Sequence, residues 1–207
     1  MAETALLALV AFLVTIDPLG LVPIFIALTH GAEPAQRRQM AAKGVLVGGA
    51  VLLLFAVLGE KALTTLGIGM AAFRIAGGIV LLIVAIEMVL ERRTDRRNTT
   101  AGRLMEEHVH EDIAVFPLAI PLIAGPAAIT TVILQTSTAG DLGAFAAVLL
   151  AMLAVLALVW LVLVLSSALA GALGPTLVMV LSRLLGLMLA ALAVQYVIDG
   201  IREAFLR

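Results

Sequence analysis

The amino-acid sequence predicts an all-α polytopic membrane protein: six transmembrane helices built as two inverted three-helix repeats, with helices 1 and 4 broken. Three observations predict it. Apolar residues fill 63% of the 207 positions and the mean hydropathy is +1.18, where soluble domains run at about 45–50% apolar. The apolar residues gather into six runs near the length of a membrane span, which needs about 20 residues. Related motifs also recur at a nearly constant separation, Pro18 and Pro126 lying 108 residues apart.

The runs fall at 5–28, 43–59, 68–90, 113–134, 142–165 and 179–201. Leu, Val, Ile and Ala occupy every face of each run, so length decides for spanning helices over strands. The first run is too long for a cleavable signal and lacks a basic leader, so it reads as the first span. Residues 29–42 carry Gly31, Pro34, Arg37 and Arg38, with Lys43 following. Residues 91–112 form the most polar stretch, a connector holding Arg92, Arg93, Arg96, Arg97 and Arg103 among acids. Residues 166–178 are small and uncharged, and Arg183 follows them. Nine Lys and Arg therefore flank connections one, three and five, against three (Lys61, Arg202, Arg207) on the opposite side. The positive-inside bias places the odd connections in the cytoplasm and both termini in the periplasm.

The whole chain reads as one membrane domain, 1–207, with repeats over 5–90 and 113–201 joined by the 91–112 connector. The Arg74-Ile75-Ala76-Gly77 stretch matches Arg183-Leu184-Leu185-Gly186 at a spacing of 109. Three spans per unit make the second copy enter the bilayer from the other side, hence the inversion.

Asp17-Pro18 carries the sharpest chemical signal. It lies near the centre of the first run, with Gly20 and Pro23 loosening the same turns. Proline removes an N–H and clashes with the carbonyl four residues back, and the freed carbonyls need partners in protein or a wet cavity. An ionisable side chain at that depth requires pairing, protonation or hydration. Two readings stand: a substrate, cation or proton site at a broken helix, or a packing kink beside a neutral aspartic acid. The fourth run repeats the device without a charge. Pro117, Pro121 and Gly125-Pro126 interrupt it, and Thr130 and Thr131 follow one turn on. Opened amides there suit a carboxylate and opened carbonyls an ammonium or cation; ordinary proline bending is the alternative, and the threonines bond readily to their own helix.

Arg74 lies within the third run and Arg183 near the start of the sixth. They fit substrate-carboxylate binding at Arg74 and a gate at Arg183, or side chains reaching the headgroups. Glu87 and Asp199 read as interfacial, Gln195 and Tyr196 as packing, and Gly48-Gly49, Gly77-Gly78 and Gly186 as sites of close helix approach. His108 and His110 alternate among acids in the connector, which suits a solvated loop better than a metal site. No phosphate-binding loop, catalytic triad or zinc-protease motif occurs, Ser166-Ser167 has no histidine nearby, and cysteine is absent. The chain therefore reads as no enzyme, with no metal and no cofactor. A formal net charge of -1 with no basic field excludes a nucleic-acid surface. Membrane lipid and a small-molecule substrate are the expected partners, and a homo-oligomer is compatible with the sequence.

The motifs Asp17-Pro18-Leu19-Gly20-Leu21-Val22-Pro23-Ile24-Phe25, Gly125-Pro126-Ala127-Ala128-Ile129-Thr130, Phe73-Arg74-Ile75-Ala76-Gly77-Gly78 and Arg183-Leu184-Leu185-Gly186-Leu187 resemble those of the MarC family of bacterial integral membrane proteins, along essentially the whole chain. Asp17 stands where many members carry Asn. The resemblance implies a relation to transporters of small neutral amino acids, glycine and alanine above all, and more loosely to amino-acid exporters. The expected function is a secondary transporter or exporter of a small polar solute in the inner membrane; a coupling ion, proton or sodium, is compatible with the sequence, which does not specify one. A non-transport scaffold or stress-associated membrane protein is the competing expectation.

Overall fold

The computed structural model describes residues 2–92, 99, 112–172 and 175–205. Among these it is all-helical, in the order α1 (Ala2–Ile16), α2 (Pro18–Leu28), α3 (Pro34–Thr65), α4 (Met70–Val89), α5 (Ala114–Ile123), α6 (Pro126–Ser137), α7 (Leu142–Val164), α8 (Ser166–Ala172) and α9 (Pro175–Phe205). Most of the 91–112 connector, with His108 and His110, lies outside the described residues.

Five helical stretches are long and apolar enough to cross a membrane, α1 and α2 counting as one stretch over Ala2–Leu28. The α5–α6 pair qualifies jointly but is bent by 56°. Packing along α3 shows that this pair does not turn back. A Cβ at Gly44 would meet Leu118 and the Ala114 carbonyl, at Gly48 Ile123, and at Gly59 Ile133. The contacts ascend together along both segments over 15 residues of α3, or ~22 Å at 1.5 Å per residue. The bent pair thus runs on beside α3, and counted as one broken span it brings the apolar stretches among the described residues to six.

Several boundaries differ from expectation. The second span, whose short apolar run can extend into either loop, does so as α3 from Pro34, nine residues before that run, because Pro34 suits a first helical position and the Gln36 side chain accepts the Glu33 N–H at 3.0 Å. Arg37, Arg38 and Lys43 continue this helix instead of forming a loop. The sixth helix likewise starts at Pro175, and part of the fifth connection is the short helix α8. The fourth span opens as a wide π-type coil rather than a regular helix, since Phe116 and Ile120 are extended (φ −135° and −127°) ahead of Pro117 and Pro121, as residues before proline tend to be.

The odd connections share one face. Arg37 donates to Ser167 Oγ at 2.9 Å, Arg183 pairs with Glu91 at 2.9 Å, and Lys43 pairs with Asp112. The opposite face holds the second connection and the C-terminal end of α9, where Gly200 abuts the Ala71 carbonyl. These are called the odd-loop and even-loop faces below.

The first span is the centre of the molecule, 61% buried in its apolar window against 17% for α9. One apolar cluster joins α1, α2, α3, α5, α6 and α7, and a second joins α1, α4, α6 and α9. Helices α4 and α9 form a close antiparallel pair: added Cβ atoms at Gly78 and Gly186 would lie 2.7 Å from the Ala193 carbonyl oxygen and 2.9 Å from Met88 Cβ. Such small residues let membrane helices approach closely. The outer sides of α3 and α9, with Leu46, Leu54, Leu184 and Leu187 about half exposed or more, form an apolar outer surface.

Candidate functional site at two helix breaks

At the first break the hydrogen-bond ladder of α1 ends on Asp17 N, which donates to the Leu13 carbonyl at 3.0 Å. The Asp17 backbone is left-handed (φ 58°, ψ 71°), a conformation that costs an ordinary residue energy and that Asp tolerates better than most. Pro18 then opens α2 with its φ already helical. The Asp17 carboxylate is 4% exposed and its Oδ1 accepts the Gly20 N–H at 3.1 Å. Gly20 is required by this contact, because a Cβ there would lie 2.2 Å from Asp17 Oδ2. The acid is thus the N-cap of a helix that begins inside the membrane.

At the second break α5 ends with Ala124 N donating to the Ala119 carbonyl at 2.9 Å. Gly125 is extended (φ −84°, ψ 172°), Pro126 opens α6, and no side chain caps the new amides. A Cβ at Gly125 would lie 2.4 Å from the Pro121 carbonyl oxygen, so the backbone approach itself demands glycine. Ile16 and Leu21, flanking Asp17, belong to the same apolar cluster as Ala124 and Ala128, flanking Gly125-Pro126.

The remaining candidates separate. Pro18 and Gly20 are buried, whereas Pro23 and Pro126 are exposed and act on the backbone. Thr130 faces α4, with its methyl 2.7 Å from where a Gly77 Cβ would stand. Thr131 has no exposure, and its hydroxyl has no hydrogen-bond partner. Arg74 lies one turn nearer the even-loop face than Gly77; its Nη1 donates to Glu203 Oε2 at 2.7 Å, while its buried Nε has no partner. Arg183 is half-exposed at the odd-loop end, paired with Glu91. The two arginines therefore fasten opposite ends of the α4–α9 pair. Sequence reasoning missed their acidic partners, and it missed Gln135, a 7%-exposed amide one turn beyond Thr131. Spacing of four from Thr131 was the available signal.

At the odd-loop end, the Lys43 hydrogen bond holds the Asp112 carboxyl below its ordinary range; burial opposes this, and the Ala114 amide assists it. That amide donates to Asp112 Oδ1 at 3.0 Å, so Asp112 seats the start of the broken fourth span. Gln195 is exposed and bonded to Asp199 at 2.9 Å, while Tyr196 is buried in the α4–α9 cluster. No group of three metal-ligating side chains is assembled among the described residues.

The profile of the MarC family integral membrane proteins matches residues 3–205. The chain belongs to the MarC family. It is 38% identical over 194 residues to UPF0056 membrane protein MJ1677 of Methanocaldococcus jannaschii, covering 92% of each chain. It is 34% identical to UPF0056 membrane protein YvbG of Bacillus subtilis, over 91% of this chain and 90% of that one. It is 32% identical to UPF0056 inner membrane protein YhgN of Escherichia coli, over 94% of each. No solved structure matches this one. As a MarC member with several helices long and apolar enough to cross a membrane, the chain is a multi-pass integral membrane protein.

Proposed function

We propose that this MarC protein is a secondary transporter or exporter of a small polar solute, with neutral amino acids such as glycine and alanine as its substrate class. The observation that carries this reading is Asp17, a buried acid at a left-handed break inside the first span, whose neighbours Ile16 and Leu21 share an apolar cluster with Ala124 and Ala128 beside a second break that has no side-chain cap. A zwitterion fits that pair. Its ammonium meets Asp17, and its carboxylate meets the open amides of α6, where the helix dipole favours negative charge. The alternative use of Asp17 is a coupling proton or sodium ion.

In this reading the halves 5–90 and 113–201 are inverted repeats around the connector. Packing supports the relation, because exchanging the halves exchanges the partners: α1 packs on α7 as α5 and α6 pack on α3, while α4 packs on α9. Gly78 against Ala193 corresponds to Gly186 against Ala85, both positions shifted by 108 residues. That is the separation of Pro18 and Pro126, and it supports 108 over the 109 of the arginine motifs. Arg74 and Arg183 then latch opposite mouths. The odd-loop face is cytoplasmic and both termini periplasmic, by its excess of Lys and Arg. The membrane is the inner one, as the name of the Escherichia coli relative suggests.

A non-transport scaffold is the second reading, favoured by the bond that already employs the Asp17 carboxylate as a helix cap. Purified protein in sealed vesicles separates the two. Counterflow of labelled glycine or alanine against a panel of neutral, acidic and basic amino acids should be saturable and strongest for the small neutral ones. Counterflow no greater than in protein-free vesicles for every solute contradicts transport.

A further inference from the structure

Helices α1 and α6 meet between the two breaks and the even-loop face, α1 running toward the centre and α6 away from it. Buried hydroxyls on membrane helices ordinarily bond to the carbonyl four residues back. Thr15 does so to Ala11 at 2.8 Å, Thr29 to Phe25 at 2.7 Å and Thr136 to Val132 at 2.8 Å. Thr131 does not, although it is wholly buried. A buried donor left unmade is costly, and it marks a place that another polar molecule completes.

Helix geometry tells what this hydroxyl faces. Each residue turns the α-helix by about 100°. Thr130 and Leu134 abut Gly77 of α4, and Ile133 abuts Gly59 of α3. Thr131 and Gln135 turn away from both. They lie between Ala127, which packs in the cluster of Val14, and Ala128, which packs in the cluster of Ile16. That side faces α1. On α1 the corresponding gap between the clusters holds Ala11 and Thr15, both fully or almost fully buried; Ala11 belongs to neither apolar cluster. A polar stripe on α6 therefore opposes a stripe of small residues on α1.

We propose that Thr131 and Gln135, facing Ala11 and Thr15, line a passage for water and a small neutral or zwitterionic hydrogen-bonding solute, leading from the helix breaks to the even-loop face. The proposal rests on the transport reading and extends it to a route. A hydroxyl and a primary amide each donate and accept without charge, so they exchange hydrogen bonds with a moving solute without holding an ion. The small side chains of α1 leave the width. In the present conformation the passage is closed, since both α6 side chains are buried.

The chain has no cysteine, so single cysteines can be introduced without background. The single variants Thr131→Cys, Gln135→Cys, Ile133→Cys and Leu134→Cys, reconstituted in vesicles, are reacted with a small water-soluble cationic methanethiosulfonate. Labelling at 131 and 135 should be about tenfold faster than at 133 and 134, and slowed by alanine. Thr131→Val, which removes the hydroxyl and keeps the shape, should leave thermal stability unchanged or higher and raise the KM for counterflow about tenfold, with Thr131→Ser restoring it. Equally slow labelling at all four positions, or an unchanged KM in Thr131→Val, overturns the passage. Slow labelling with intact counterflow rejects the passage alone. Fast labelling at 131 and 135 without counterflow of any solute leaves a wetted crevice and rejects transport. Should Thr131→Cys fail to elute as monodisperse protein, Gln135→Cys decides the labelling.

Discussion

At Asp17 the chain turns through one left-handed residue and restarts at once on Pro18, with a carboxylate closed over the new helix. At Gly125 it restarts on Pro126 from an extended residue, and the N-cap supplies no side-chain hydrogen bond to the new helix. The first span stays continuous across its break, whereas the fourth bends by 56°. The difference in shape follows from the approach. One residue interrupts the first ladder, but Pro117 and Pro121 force two extended residues into α5 before the break is reached. The difference in charge matters more. Two helix N-termini lie at mid-span, one capped by an acid and one with glycine as its N-cap. In the transport reading this pair of an acidic group and a second helix N-terminus suits the polarity of an amino-acid zwitterion.

Substitutions at the two break glycines test whether the breaks are held differently. Gly125→Ala places its Cβ against a backbone carbonyl that cannot swing aside, and should cost about 1–3 kcal/mol as an overpacked site. Gly20→Ala meets the Asp17 carboxylate, which can rotate away at the loss of its cap, typically about 1 kcal/mol. Thermal unfolding in detergent should rank Gly125→Ala as the more destabilised. Adding Asp17→Ala should relieve Gly20→Ala, so that the pair is less harmful than the sum. Equal losses at both glycines, with strict additivity at the first, would remove the distinction between a side-chain and a backbone obstruction.

The ion pairs of α4 and α9 extend the comparison to the two ends of that helix pair. Arg74–Glu203 has side chains 19% and 24% exposed, and Arg183–Glu91 50% and 39%. Glu203→Gln should therefore destabilise by about 1–3 kcal/mol, as for a partly buried charged hydrogen bond. Glu91→Gln should cost less than about 1 kcal/mol, as for an exposed pair. Unfolding midpoints at low and high salt check this, with salt erasing the smaller effect first. The reverse order would show that the odd-loop latch is the tighter one.

Much of this was legible in the sequence because membranes make simple demands. Apolar run length located the spans, and proline located both breaks, with an intramembrane acid beside the first and glycine beside the second. The glycines at 48, 77, 78 and 186 marked close helix approaches. What stayed hidden depends on partners distant in sequence. Arg37, Arg38 and Lys43 resemble a loop in composition, yet Arg, Lys, Gln and Ala are good helix formers, and a helix can carry charge into the headgroups and beyond. Arg74 bonds to a glutamate 129 residues away, which no local pattern announces. Gln135 was passed over although it lies four residues beyond Thr131, because that spacing gains meaning only once both side chains are known to be buried. The cap on α2 was implicit in Asp17-Pro18-Leu19-Gly20, since a capping side chain reaches the amide three residues on; the depth of the acid in the membrane drew attention to its charge instead.

The central claim is that the Asp17 charge serves transport in addition to capping a helix. Asp17→Asn tests it most directly, because asparagine tolerates the left-handed backbone and its amide oxygen can still accept the Gly20 N–H, leaving the fold in place while the charge is removed. Counterflow of glycine or alanine is to be measured in vesicles at matched protein density, with and without proton or sodium gradients. The account predicts a change of about tenfold or more: weaker apparent affinity without any gradient if Asp17 holds the ammonium, or exchange retained and gradient-driven uptake lost if it holds the coupling ion. Counterflow and gradient dependence identical to the parent protein, at equal thermal stability, would contradict it and leave Asp17 as a helix cap alone.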